Sequence, residues 1–215
     1  MATDVEREKR LAGEAAADLA ENGMTVGLGT GSTSAYFVAA LGTRRLDIRC
    51  VATSLATEQH ARAIGLDVIR FEGTDAPARL DLAVDGADQV ATDGWVVKGG
   101  GGAHTREKLV AVAADRFVVI VSSDKLVERV TAPIPLELLS FGLGATLARL
   151  GAAEVRGAPP TPDGGVLADW TGEVDDPAGL AQRLAATPGV VDHGLFPPDL
   201  VTEVLVGRAG AVERI

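Results

Sequence analysis

Apolar and polar positions along the chain follow two periods. Residues 5–21 place Val5, Leu11, Ala15 and Leu19 among charges, a spacing that predicts an amphipathic helix. Asn22-Gly23 ends it. Residues 24–28 form an apolar run that predicts a buried strand, followed by a Gly-rich turn and a helix over 34–41. A strand over 48–52, a helix over 54–64 and short strands over 68–71, 82–84 and 95–97 come next. Four glycines then precede a helix over 106–114 and an apolar strand over 117–121. Strands alternating with helices predict an α/β chain: a mostly parallel, Rossmann-like sheet with helices on both faces.

The pattern changes after about residue 130. Strands are expected over 136–139, 154–156, 166–170 and 190–191, with helices over 144–150 and 177–186. Pro159-Pro160 and Asp163-Gly164-Gly165 punctuate the middle. The order β-α-β-β-α-β predicts a small split α+β (ferredoxin-like) domain. The apolar run over 201–206 is expected to rejoin the main sheet. The expected division is 1–130 with 200–215 as the Rossmann-like domain and 131–199 as the small α+β domain.

The 215 residues are 47% hydrophobic but only 4% aromatic, so Val, Leu, Ile and Ala must fill the core. A net charge of -10 argues against nucleic acid and anionic membrane as partners, since both need clustered Lys and Arg. A small phosphorylated ligand is still allowed, because a few N–H groups and one or two Lys can hold it. The single cysteine, Cys50, rules out a disulfide framework within the chain, which fits a cytoplasmic protein. No signal core and no apolar run of about 20 residues is present, so no membrane span is expected.

Ligands of open parallel sheets bind beyond the carboxyl ends of the strands. Five expected strand ends carry small or ionisable polar groups: Gly29-Thr30-Gly31-Ser32-Thr33, Thr53-Ser54, Asp85-Gly86-Ala87-Asp88, Lys98 with Gly99–Gly102, and Ser122-Ser123-Asp124-Lys125. The first can seat a phosphate on glycine backbone and a helix N-terminus, or be a capped strand–helix turn. It lacks the Lys of a nucleotide P-loop, and Ser32 stands where a dinucleotide fingerprint needs its third Gly. Asp85 and Asp88, three apart, would face the same way on a helical turn. They could orient hydroxyls, shuttle a proton or bind metal, or merely cap a turn. A metal is disfavoured, because His60, His104 and His193 share no ligand spacing. Four consecutive glycines are entropically expensive for a plain turn, so a ligand is expected against that backbone. Glu107 falls in the first turn of the next helix, either as a base or as a complement to the helix dipole.

Gly29-Thr30-Gly31-Ser32-Thr33, Asp85-Gly86-Ala87-Asp88 and Lys98-Gly99-Gly100-Gly101 with Thr105-Arg106-Glu107-Lys108 resemble the signature motifs of the A-type ribose-5-phosphate isomerase family in order and spacing. Weaker echoes are Ser54 to Glu58, Lys125, Pro135-Leu136-Glu137, Pro188-Gly189-Val190-Val191 and Gly194-Leu195-Phe196, so the resemblance spans roughly residues 5–210. It implies a cofactor-free, metal-free aldose–ketose isomerase acting on a phosphorylated pentose, as a homodimer or homotetramer. It assigns Glu107 as general base, with Asp85, Asp88 and Lys98 also catalytic. Substrate contacts would come from Lys9, Thr30, Gly31, Ser32, Thr33, Asp85, Gly86, Ala87, Asp88, Lys98, Gly99, Gly100, Gly101 and Lys125. The chain departs from the family pattern at Gln89, at His104 and at Ser123-Asp124. Competing readings are a sugar-phosphate-binding effector domain, which would not need Glu107, and an amino-sugar phosphate deaminase or CoA transferase on the same scaffold.

Overall fold

The computed structural model describes residues 2–215. Helix α1 (Ala2–Ala17) is followed by β1 (Thr25–Leu28), α2 (Ser32–Thr43), β2 (Arg49–Ala52), α3 (Leu55–Ala63), β3 (Asp67–Val68) and β4 (Leu82–Asp85). Next come β5 (Gln89–Ala91), β6 (Val96–Val97), α4 (His104–Ala113), β7 (Phe117–Ser122), a 3-10 turn (Ser123–Lys125) and β8 (Leu126–Val127). Then follow β9 (Ile134–Leu138), α5 (Leu143–Leu150), β10 (Ala153–Val155), β11 (Val166–Trp170), α6 (Pro177–Ala185), β12 (Val190–His193) and β13 (Leu195–Phe196). Strands β14 (Glu203–Arg208) and β15 (Ala211–Arg214) complete the order. Two compact units result: residues 2–87, 106–126 and 199–215, and residues 88–105 and 127–198. Among the described residues, no helix is long and apolar enough to cross a membrane.

The first unit is built on a seven-stranded sheet in the order β15-β14-β7-β4-β1-β2-β3. All neighbours are parallel except β14 and β15, which form an antiparallel hairpin at one edge. Every residue of β1, β4 and β7 is buried, as expected where helices cover both faces. One face packs Val26, Leu28, Leu82, Val84, Val118 and Ile120 against Ala12 and Ala16 of α1, Phe37 and Leu41 of α2 and Ala61 of α3. On the other face Val110 of α4 fills the space beside Gly27, where a Cβ would lie 2.4 Å from its Cγ1. The chain leaves β1 for β2 in one direction and β4 for β7 in the other. The carboxyl ends of the adjacent strands β1 and β4 therefore mark the topological switch point.

The second unit contains the antiparallel sheet β10-β11-β9-β12 with α5 and α6, which is the expected split β-α-β-β-α-β arrangement. Ile134, Leu136, Leu138, Ala168, Leu180 and Leu184 make its core. Pro177 at the first turn of α6 and Asp176, whose side chain accepts from the Gly179 N–H, start that helix. A second small sheet runs β13-β6-β5-β8. The expectation that 95–97 extends the parallel sheet is corrected here, because β6 is antiparallel to both β5 and β13. Only ten residues separate Asp85 from Val96, fewer than the dozen or so that a parallel crossover needs.

Candidate active site

In the first unit, the loop after β1 and the end of β4 form one hydrogen-bonded knot. Oδ1 of Asp85 accepts from the backbone N–H of Thr30 at 3.0 Å, the hydroxyl of Ser34 at 3.0 Å and the backbone N–H of Gly86 at 2.7 Å. Asp85 is 3% exposed, so these donors fix its carboxylate in the core end of the switch point. Thr30 is held from its other side by the hydroxyl of Thr53 at 2.7 Å, at the end of β2. The hydroxyl of Thr57 donates to the Gly29 carbonyl at 3.0 Å, and Ser54 caps α3 by accepting from the Thr57 N–H. Gly31, with φ 111°, turns the chain into α2, whose N-terminus has no side-chain cap. The first N–H groups of a 12-residue helix are thereby left for an anion, beside the exposed Ser32 and the half-buried Thr33.

Two lysines of this unit are held by neighbours. Nζ of Lys9 lies 2.7 Å from Oε1 of Glu6, whose Oε2 accepts from the Tyr36 hydroxyl of α2 at 3.0 Å. The Lys9 and Tyr36 donors hold the Glu6 carboxyl below its usual range, and Glu6 in turn raises the Tyr36 phenol. Lys125 ends the 3-10 turn after β7, 3.8 Å from Asp124. That turn is pinned by Glu8 of α1, which accepts from the backbone N–H and hydroxyl of Ser123 at 2.9 and 2.7 Å. Glu107 lies in the first turn of α4 and is 5% exposed, where the helix dipole favours a negative side chain.

In the second unit, the backbone N–H of Lys98 donates to the Gly194 carbonyl at 2.9 Å, which fastens the end of β6 to β13. The Lys98 side chain is buried at 2% exposure, with Nζ 5.6 Å from the centre of the Phe196 ring. A cation placed over an aromatic face in this way is attracted by the ring's negative π-face. Gly99 has φ 100° and stands against His104, where a Cβ would lie 2.7 Å from the imidazole. The Gly100 N–H donates to Oδ2 of the exposed Asp88 at 2.8 Å.

The expected residues thus fall into two groups. Thr30, Gly31, Ser32, Thr33, Asp85, Gly86, Ala87, Glu107, Lys9 and Lys125 belong to the first unit; Asp88, Lys98, Gly99, Gly100 and Gly101 belong to the second. Asp85 and Asp88 do not share a helical turn. Asp85 ends β4, Asp88 directly precedes β5, and the two carboxylates bond to different segments. Gln89 clips the backbone of Thr131, donating to its carbonyl and accepting from its N–H at 2.9 and 2.8 Å. His104 is 0% exposed and lies against Gly99 of the glycine run. Sequence reasoning missed Ser34, Glu8, Arg156 and Asp169, whose partners are all remote in the chain except for the pair of Arg156 with Asp169. Among the described residues, no three His, Cys, Asp or Glu side chains are grouped to hold a metal ion. Cys50 in β2 is a core residue, its thiol pushed up to about 12 by burial and by Asp67.

Residues 49–210 match the family model of ribose 5-phosphate isomerase A (phosphoriboisomerase A). The chain is 44% identical to ribose-5-phosphate isomerase A of Natronomonas pharaonis, over 97% of this chain and 96% of that one. It is 45% identical to the protein of the same name from a Caulobacter species, over 97% of both. The solved ribose 5-phosphate isomerase A of Methanocaldococcus jannaschii superposes with a TM-score of 0.89 at 32% identity, covering 96% of this chain and 97% of that one. A D-ribose-5-phosphate isomerase solved in complex with phospho-erythronic acid gives 0.90 at 32% identity, over 98% of both. With this agreement over nearly its whole length, the chain belongs to the ribose 5-phosphate isomerase A family of aldose–ketose isomerases.

Proposed function

We propose that this protein interconverts D-ribose 5-phosphate and D-ribulose 5-phosphate by proton transfer through a cis-enediolate, with Glu107 as the general base. The observation that carries the reading is Glu107 itself, a buried carboxylate in the first turn of the helix that directly follows the Lys98–Gly102 loop. A sugar-phosphate sensor has no use for such a group. Glu107 takes the proton from C2 of the open-chain aldose, and the electron pair forms the C1–C2 double bond while charge moves to O1. The same carboxyl, now protonated, returns the proton to C1 to give the ketose. The ammonium of Lys98 and loop N–H groups stabilise the charge that grows on the enediolate. Asp85 or Asp88 moves the proton between the two hydroxyl oxygens and assists opening of the furanose. Gly31, Ser32 and Thr33 at the N-terminus of α2, with Lys9 and Lys125, hold the phosphate. None of these steps needs a metal or an organic cofactor.

We infer a cytoplasmic homodimer or homotetramer. Leu109 and Val112 support it, being 60% and 66% exposed and three apart on α4. The direct test of activity is to mix the purified protein with ribose 5-phosphate and follow ketopentose formation. Absence of ketose would leave the family assignment without its reaction in this chain.

A further inference from the structure

We propose that Arg156, locked by Asp169, is a positioning residue for the glycine run after Lys98, setting its peptides so that the Gly101 N–H is presented to the substrate oxyanion. The inference rests on the reading above that the Lys98–Gly101 loop meets the substrate.

Arg156 immediately follows β10, and its own backbone N–H donates to the Leu167 carbonyl of β11 at 2.9 Å. The sheet register pairs Glu154 with Asp169, so Arg156 and Asp169 are diagonal neighbours on one face. Nε donates to Oδ2 of Asp169 at 2.8 Å and Nη2 to Oδ1 at 2.6 Å, a two-point pair with side chains only 17% and 22% exposed. Two nitrogens on one edge of the planar guanidinium are thereby fixed, and the remaining nitrogen has one place to point. Nη1 donates to the carbonyls of Gly99 and Gly100, at 3.0 and 3.1 Å.

A trans peptide directs its N–H opposite to its C=O. The Gly99–Gly100 peptide is therefore gripped at both ends, its carbonyl by Arg156 and its N–H by Asp88 at 2.8 Å. The Gly100–Gly101 peptide is gripped only at its carbonyl. Its N–H, on Gly101, points away from Arg156 and meets no acceptor among the described residues. Without Cβ atoms these peptides would otherwise rotate freely, so the entropy that glycine adds is removed by one cation. Leu167, on the same face as Asp169, supports the next residue: a Cβ on Gly102 would lie 2.5 Å from its Cδ1. A lysine at 156 could neutralise Asp169 or reach the loop, but lacks the fork that does both at once.

The test uses Arg156→Lys and Asp169→Asn in the full chain. Three readouts are taken: hydrogen exchange of the loop amides, melting temperature, and kcat and KM for ribose 5-phosphate. Exchange at Gly100, whose N–H is bonded to Asp88, and at Gly102, whose N–H donates to the Gly99 carbonyl, should accelerate while β9 and β11 keep their protection. The kcat should fall about 10- to 100-fold with a smaller change in KM, because an oxyanion donor acts on charge that develops in the transition state. Arg156→Ala should regain activity several-fold with added guanidinium, which a purely structural ion pair would not show. Unchanged loop exchange overturns the proposal, as does a kcat within about twofold of wild type in both variants, below the usual effect of an oxyanion donor. Lys98→Met is assayed beside them. If it keeps wild-type kcat, the substrate-site reading of the loop fails; if it is impaired while the Arg156 and Asp169 variants are not, only the positioning role fails. Should Arg156→Lys not fold, Asp169→Asn alone carries the same readouts.

Discussion

A methyl group on Gly29 would lie 2.0 Å from Oδ1 of Asp85. The Asp85 carboxylate thus occupies the space that any side chain at residue 29 would need, and it uses that place to bind the neighbouring Thr30 N–H. Gly29→Ala should therefore displace Asp85 and free the loop as well. An overpacked site of this kind costs about 1–3 kcal/mol. Asp85→Ala removes the shared acceptor of Thr30, Ser34 and Gly86, and a buried donor left without a partner costs about 1–3 kcal/mol. Denaturant unfolding should show both losses, and both variants should also lose kcat/KM. A Gly29→Ala protein with wild-type stability would mean that the knot does not hold the loop.

The phosphate assignment makes a separable prediction. Ser32→Ala with Thr33→Ala removes two hydroxyl donors at the start of α2 but leaves its backbone N–H groups in place. KM for ribose 5-phosphate should rise at least about tenfold, since even one hydrogen bond to a charged group is worth about 1.5–3 kcal/mol, or about one decade or more at about 1.4 kcal/mol per decade. Inorganic phosphate should compete less well with the variant than with wild type. Equal KM and equal phosphate inhibition would make this turn a cap and nothing more.

Acid sensitivity should report on Glu8. Burial raises its carboxyl, but the donors from Ser123 and the Ala209 N–H outweigh burial and leave it below the usual value of 4.5. A carboxyl depressed in the folded state contributes stability that is present above its unfolded value and is lost as pH falls through the folded one. Wild type should accordingly lose stability on acidification below about pH 4.5, and Glu8→Gln should lose less over that window. The check is a set of denaturation midpoints between pH 3 and 7, chosen to span roughly the carboxylate range. Parallel curves for the two proteins would show that Glu8 does not gain its Ser123 bonds on folding.

Much of this scaffold can be read from the chain because its signals are local. The apolar run that becomes β7 is buried at all six positions, and the glycine turn after β1 sits where strand gives way to helix. The split α+β order is likewise written in separate segments, each with its own turn residues. What escaped depends on distance. Strands β5 and β13 have three and two residues and exist only through pairing with β6, so no period could announce them; β6 itself is expected over 95–97, but its antiparallel pairing is not. Strand β15 is half charged and lies at the sheet edge. Asp85 and Asp88 are three apart in sequence, yet the chain between them is not helical, so their spacing suggests a shared helical face they do not have. Arg156 reaches the glycine run across 56 and 57 residues, a relation no local pattern contains.

Proton transfer by a carboxylate needs no Lewis acid, so activity should survive exhaustive dialysis against EDTA. A loss that a divalent ion restores would favour a metal-assisted hydride shift instead. Such a shift would move hydrogen between C2 and C1 without exchange with solvent, whereas a carboxylic acid exposed even briefly to water trades its proton. Running the reaction in deuterated solvent therefore separates the two chemistries independently of the dialysis.

Glu107 carries the strongest prediction. Its carboxylate is 5% exposed and follows the loop that holds Lys98, within the Thr105-Arg106-Glu107-Lys108 segment from whose resemblance the role of base is inferred. Glu107→Gln keeps the size of the side chain and removes its basicity, so folding and substrate binding should persist. A positioned base contributes about 10²–10⁴-fold in rate. That corresponds to roughly 3–5 kcal/mol of barrier at about 1.4 kcal/mol per decade. The loss should fall on kcat while KM changes little, because the proton moves only in the transition state. Exchange of the C2 hydrogen with deuterated solvent should slow by a similar factor, and the melting temperature should stay near that of wild type. Lys98→Met should lower kcat as well but leave the exchange-to-turnover ratio unchanged, since it stabilises the enediolate that both processes share. A Glu107→Gln protein that keeps more than about a tenth of wild-type kcat, less than a base ordinarily supplies, would pass the role of base to another carboxylate, with Asp85 the first to test.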